Sequence, residues 1–288
     1  MSSNSGYLRH FIACNKYDAS HFSPFFIGSK CYGRIKKDAA NFLLKETTLF
    51  EPQGGGLSLS ARFSDFTSRS DALMQATMVL TKYFGKALRN EKYPVVEKWG
   101  DTPVAELDRV AVPWFGIRAW GTHVNGYVRA KNGLSLWIGE RAANRLIEPG
   151  KLDNLIGGGL PIGLTLEQNL CKEAKEEAGI EAAQALTSKF IRTLDYLLEL
   201  PDGSRNDSLF LYDLELPENF VPRNTDGEVA AFHLMSLAEV ADLVCSTDKF
   251  KFNCAMVIAD FLIRHGFITP QTAEFKELKE WLGKEPLK

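Results

Sequence analysis

A helix whose two ends are both encoded, preceded by a run of glycines, constrains this chain more than any other segment. Residues 157–165 read Gly-Gly-Gly-Leu-Pro-Ile-Gly-Leu-Thr, and Leu166 to Ile180 follow. Thr165 with Gln168 three positions on is a capping-box pattern, in which side chains and backbone satisfy each other's unpaired donors. Gly179 stands where a left-handed residue closes a helix. The spacing predicts a helix over 166–178. At 100° per residue, Leu170, Cys171, Ala174 and Ala178 share a flank suited to packing. Glu173, Glu176 and Glu177 stand at i, i+3 and i+4 and gather on another flank.

Three like charges so placed repel, at about 0.2–0.5 kcal/mol for each i,i+4 pair in an isolated helix. A hard divalent cation, Mg2+ or Mn2+, is the natural partner, because clustered carboxylate oxygens suit it and phosphates complete its shell. For a bare E-x-x-E-E, a solvated acidic face is the plain alternative. The other glycine triplet, Gly54-Gly55-Gly56, lacks the Gly-Lys-Ser/Thr of a phosphate loop and reads as a turn.

With its glycines, the segment resembles the Nudix box, G-x5-E-x7-R-E-U-x-E-E-x-G-U with U aliphatic. The first Gly falls on Gly158 and the last on Gly179; Glu173, Glu176, Glu177 and Ile180 match in register, with Ala174 at an aliphatic position. Leu164 replaces the first Glu and Lys172 the Arg. In the family those two pair or orient the loop around the metal helix, while the later glutamates bind metal. The likeness extends through Phe115-Gly116-Ile117, His123 to Tyr127, Leu136-Trp137-Ile138, Pro149 to Asn154, Asp226 to Val229 and Phe261 to Gly266. Together these resemble two-domain Nudix hydrolases of plants, fungi and bacteria that are labelled thiamin pyrophosphokinase-related. In that group both departures are usual, and the resemblance implies dephosphorylation of thiamin diphosphate, or its damaged oxo and oxy analogues, to the monophosphate.

The remaining sequence gives the setting. A length of 288 residues suggests two domains, and 45% hydrophobic with 24% charged residues excludes disordered, collagenous and coiled-coil classes. No run reaches the roughly 18 to 20 apolar residues of a membrane span. The Ser/Asn-rich start lacks a secretory pattern, so the expected location is cytoplasmic. Cys14, Cys31, Cys171, Cys245 and Cys254 are scattered without a C-x-x-C pair, and are expected to be reduced and mostly in the core. The net charge of −2 shows no nucleic-acid footprint. It is uneven: residues 1–110 hold 15 basic and 11 acidic residues, against 19 and 25 in the rest.

Local patterns predict a short helix at Asp38 to Leu44 and a longer one from Ser70-Asp71 to about Leu88. A hairpin turns at Asn132-Gly133, joining strands at Thr122 to Arg129 and Leu134 to Ile138. Strands at Phe190 to Leu200 and Ser208 to Leu216 pair across Asp202-Gly203. Helices from Asn253 to His265 and around Phe275 to Leu282 close the chain. The expectation is an α+β protein: a smaller N-terminal α/β domain over 1–112, and a Nudix α/β/α sandwich with a mixed sheet over 113–288.

Pyrophosphate hydrolysis needs charge neutralisation, a positioned water and a proton acceptor. Glu173, Glu176 and Glu177 are the candidate metal ligands. Glu228, after the Asp226-Gly227 turn, is the candidate base or extra ligand, with Glu176 as the alternative base. Gly158, Gly159, Gly163 and Gly179 are the box glycines. Candidate phosphate cations are Arg141, Arg145, the weaker Arg118, and Lys172, which can equally hold a neighbouring carboxylate. His123 and Asn125 suit packing better than chemistry, and Trp114, Trp120 and Trp137 are core or ring-stacking residues. The expected partner is a small diphosphate substrate, without nucleic acid or membrane. The N-terminal domain either closes over that substrate, with Tyr32, Arg34 and Phe25, or mediates a homodimer. The rival readings are a hydrolase of nucleoside diphosphate derivatives and a Nudix binding module without turnover.

Overall fold

The computed structural model describes residues 6–131 and 133–283. The chain starts with α1 (Leu8–Cys14), then β1 (Phe22–Ile27), β2 (Lys30–Lys36), α2 (Lys37–Glu46), β3 (Phe50–Gln53), β4 (Gly56–Leu59) and α3 (Phe66–Phe84). These four strands form a sheet in the order β2-β1-β4-β3, parallel only between β1 and β4. A small antiparallel pair follows, β5 (Lys92–Val95) and β6 (Ala105–Asp108), then the short α4 (Val112–Phe115). One apolar cluster runs through this part, from Phe25 and Leu73 to Trp114, Phe115 and Ala119.

The second part is built on β7 (Arg118–Ala130), β8 (Gly133–Arg141), β9 (Leu152–Asp153), β10 (Ile156–Gly159), α5 (Leu166–Ala178), α6 (Ala182–Ala185), β11 (Lys189–Leu200), β12 (Gly203–Leu216), β13 (Val229–Ser236), α7 (Leu237–Ser246), α8 (Cys254–Arg264) and α9 (Phe275–Leu282). Its sheet runs β11-β12-β7-β8-β13, with β10 paired to β7 and β9 to β8. The β12–β7 pairing is parallel and the others antiparallel, so the sheet is mixed. Alternation along β7 divides its faces. Val124 and Val128 pack with Leu170, Ala174 and Ala178 of α5, whereas Tyr127 joins Phe261 and Leu262 of α8. The result is the expected α+β architecture with helices on both faces of the sheet.

Several local expectations shift. The long helix begins at Phe66 because Asp65 and Ser68 form the capping box, and it ends at Phe84 because Gly85 is left-handed (φ 64°). Asn132, half of the expected hairpin turn, lies outside the described residues. The cysteines are unpaired, but only Cys14 and Cys254 are buried and Cys31 is exposed, so most of them are not core residues. Helix α1 lies in the N-terminal stretch of sequence, yet its Phe11 and Cys14 pack into the cluster of α8 and α9.

Candidate active site

Helix α5 forms as its caps dictate: Thr165 accepts from Gln168 N, Gln168 reaches back to Thr165 N, and Gly179 closes the helix at φ 67°. Strand β10 carries the glycine run past this helix, paired to β7 from Ile156↔Val124 to Gly159↔Gly121. Gly157 N donates to Glu177 Oε2 at 2.7 Å. A Cβ on Gly158 would stand 2.1 Å from Glu173 Cδ, so the Glu173 side chain rests directly on that α-carbon. Lys172 Nζ lies 3.0 Å from both Glu173 Oε1 and Glu176 Oε2. Glu177 is buried, Glu173 is nearly so, and Glu176 is 41% exposed at its side chain.

Burial pushes the Glu177 carboxyl well above the usual range, and the Glu173 and Asp153 charges add to it. Burial likewise raises Glu173, against the opposing pull of Lys172. Among the described residues, Lys172 is the only cation within ion-pair distance of the three carboxylates. This oxygen-rich cluster is short of positive charge, and its donor set fits Mg2+ or Mn2+. Glu173, Glu176 and Glu177 would hold the ion.

Glu228 is brought to the same place. Its turn is tied to the end of α5 by Thr225 N donating to Glu176 O at 2.9 Å, and its charge is felt at Glu173. Arg145 pairs with the Glu228 carboxylate. Arg141 departs from expectation: it is buried, with Nη1 on Asp153 Oδ2 at 2.8 Å and its other edge on the carbonyls of Ile147 and Glu148. Its donors hold the 147–153 segment and do not face a phosphate. Arg118 is engaged by Asp195 and Ser208 on the neighbouring strands. Lys172 bridges two carboxylates, the alternative raised for it from the sequence. Gly163, at φ 89°, turns the loop that enters α5.

His123 and Asn125 are packed residues, joined through Asn154 by hydrogen bonds of 2.9 Å each. Trp114, Trp120 and Trp137 are buried, and so is Phe25. A cluster not legible in the sequence lies behind Glu177. The ligand atoms of His123, Asp153 and Cys254 lie within 4.8 Å of one another. A cation does not suit this place, because Asp153 Oδ2 already carries Arg141 at 2.8 Å and Lys251 at 3.2 Å. Burial pushes the Cys254 thiol well above its usual range, and it donates to Asp153 Oδ1 at 2.6 Å. Burial, aided by Lys251, lowers His123 to about 4. These groups form a filled hydrogen-bond network. They come from residues 123, 153, 251 and 254, a dispersion that no local spacing reveals.

The N-terminal part also reaches the site. Ile162 N in the loop before α5 donates to Lys92 O at 2.8 Å. Beside this contact, a cleft is lined by Pro94, Val96, Trp99, Asp101, Pro161 and Ile162. Tyr93 and Arg109 stand against Gly159. No motif marked these residues; the one hint was the basic excess of residues 1–110.

Residues 6–119 match a family described as "Domain of unknown function (DUF4743)", and residues 121–254 match the "NUDIX domain". "Nudix hydrolase 20, chloroplastic" of Arabidopsis thaliana is 37% identical over 290 residues, covering 96% of this chain and 78% of that protein. "Nudix hydrolase 24, chloroplastic" from the same plant is 37% identical over 279 residues, covering 95% and 76%. Among solved structures, DR0079 from Deinococcus radiodurans superposes with a TM-score of 0.44 at 21% identity, over 59% of this chain and 98% of that one. Among the described residues, no helix is long and apolar enough to cross a membrane.

Proposed function

Because the chain belongs to the Nudix hydrolase family, we propose that it cleaves the diphosphate of thiamin diphosphate, or of its oxo and oxy analogues, to the monophosphate and phosphate. The observation that carries the chemistry is that Glu177 accepts from Gly157 N and Glu173 rests on Gly158, while Lys172, which bridges Glu173 and Glu176, is among the described residues the only cation paired with the three carboxylates. Glu173, Glu176 and Glu177 would hold Mg2+ or Mn2+, which would supply charge neutralisation at the diphosphate and lower the pKa of water there. Glu228 accepts the proton of the attacking water, with Arg145 holding its carboxylate in place; Glu176, the more exposed of the helix carboxylates, is the alternative acceptor. Burial of Glu177 keeps bulk water from its carboxylate, which accepts from Gly157 N.

For the ring, support comes from the cleft beside the box loop. It offers an indole, Trp99, and a carboxylate, Asp101. An aromatic face next to a negative charge suits a cationic heteroaromatic ring. The test is turnover of a panel, namely thiamin diphosphate, its oxythiamin analogue, ADP-ribose, ADP and CoA, with and without Mg2+, read as phosphate or phosphomonoester released. Metal-dependent cleavage favouring the thiamin compounds is expected. Preference for the adenine compounds would transfer the assignment to nucleoside diphosphate derivatives, and silence throughout would leave a binding module.

A further inference from the structure

A diphosphate needs a protein cation as well as metal, and an arginine fork is the strongest form of that contact. The three arginines that the sequence offered for this contact are committed elsewhere: Arg141 inward, Arg118 on Asp195 and Ser208, Arg145 on Glu228. The edge of the site opposite α5 is built by the N-terminal part. Strand β5 lays Tyr93 over β10 so closely that a Cβ on Gly159 would fall 1.8 Å from the Tyr93 hydroxyl, and 3.8 Å from Arg109 Nη2.

The segment bearing Arg109 is rigidly held. Asp108 is fully buried, and its carboxylate accepts from the backbone N of Arg89 (3.0 Å), Asn90 (2.8 Å) and Val110 (2.9 Å). Arg109 N donates to Glu91 O at 2.8 Å, and Nη1 to Glu91 Oε2 at 2.7 Å. The guanidinium carbon stands 5.8 Å from the Tyr93 ring centre, and the side chain is 44% exposed. Among the described residues, Nη2 has no hydrogen-bond partner. Glu173 abuts Gly158, and Tyr93 and Arg109 abut the next residue of β10, Gly159, so the two groups flank consecutive residues of one strand, and the Glu173 charge is felt at both Arg109 and Tyr93. Burial raises the Tyr93 phenol, so it stays a neutral donor.

We propose that Arg109, with its open Nη2 edge and the Tyr93 hydroxyl beside it, binds the diphosphate held at Glu173, Glu176 and Glu177, so that the N-terminal part completes the substrate site. This rests on the diphosphate reading above. Glu91 tethers one edge of the guanidinium and leaves the other to the phosphate. Tyr93 sets the depth at which the phosphate stops.

The test uses the full chain with Arg109→Ala and Arg109→Lys. It reads KM and kcat, calorimetric affinity for methylenediphosphonate with Mg2+, and the thermal midpoint. Arg109→Ala is expected to weaken diphosphonate binding and raise KM by about tenfold or more, the size of one lost charge-assisted contact. Arg109→Lys keeps a cation for Glu91 but no fork, and should recover only part of that loss at an unchanged thermal midpoint. Undiminished binding in Arg109→Ala would overturn the proposal. So would full recovery in Arg109→Lys together with a lowered midpoint in Arg109→Ala, the signature of a structural ion pair. A wild-type chain that turns over no diphosphate yet binds diphosphonate through Arg109 would refute the hydrolase reading and leave this one standing.

Discussion

Gly158 has no side chain because Glu173 occupies the space a methyl group would take, with Cδ 2.1 Å from the Cβ position. A Gly158→Ala chain should still fold, since the atom in the way is the end of a movable side chain. Its carboxylate, however, must leave the cluster. Turnover is expected to fall by about 10²-fold, the scale of an ångström-sized misplacement, with little change in thermal midpoint. Equal activity would show that Glu173 is not held against the glycine run. His123 gives a second prediction at this scale. Burial lowers it to about 4 from 6.5, so the folded ring is neutral. As pH falls the unfolded chain takes up the proton first; stability is full above about 6.5 and declines toward 4, by up to roughly 3 kcal/mol. Denaturant midpoints measured between these limits should fall in the wild type and flatten in His123→Gln. The acidic residues were legible because a helix period gathers them within one turn. Arg141 and Arg109 were not. Asp153, 12 residues on, pulls Arg141 inward, while Arg109 reaches the site only by the packing of β5 and β6 against β10.

For the elements, local chemistry sets boundaries wherever caps are complete. The limits of α5 agree with the sequence reading residue by residue, because both the capping box and the left-handed glycine are encoded. The start of α3 did not, since Asp65 with Ser68 caps better than Ser70-Asp71, and a serine at the third position is a weaker signal than Glu or Gln. Strands β5 and β6 escaped notice because four residues are too few for a period, and Pro94 disguises the first. The caps of α5 carry a testable cost. Thr165→Ala removes the acceptor for Gln168 N and should lower stability by about 1 kcal/mol. Gly179→Ala forces φ 67° on an alanine whose Cβ would lie 3.0 Å from Arg223 O, at a cost of about 1–2 kcal/mol. Denaturant melts with unchanged slopes are the readout; no loss in either variant would remove the caps as the cause of the helix limits.

Across the whole molecule, the two parts share more than a boundary in sequence. Helix α1 packs Phe11 and Cys14 among α8 and α9, and Lys92 O receives Ile162 N from the loop that enters α5. Neither link was visible in the sequence, because both join segments remote along the chain and neither repeats a local pattern. The box itself was visible, and across its two departures, Leu164 and Lys172, Lys172 spans Glu173 and Glu176 while Glu173 rests against Gly158. The proposed chemistry rests on the α5 carboxylates and the cation they would hold. The most direct measurement is phosphate release from thiamin diphosphate by the full chain and its Glu177→Gln variant, across a Mg2+ titration. Turnover that requires Mg2+, and that drops by about 10²-fold or more in the variant, is the expected result. Turnover that persists without Mg2+, or survives in Glu177→Gln, would contradict the placement of the reaction at this helix.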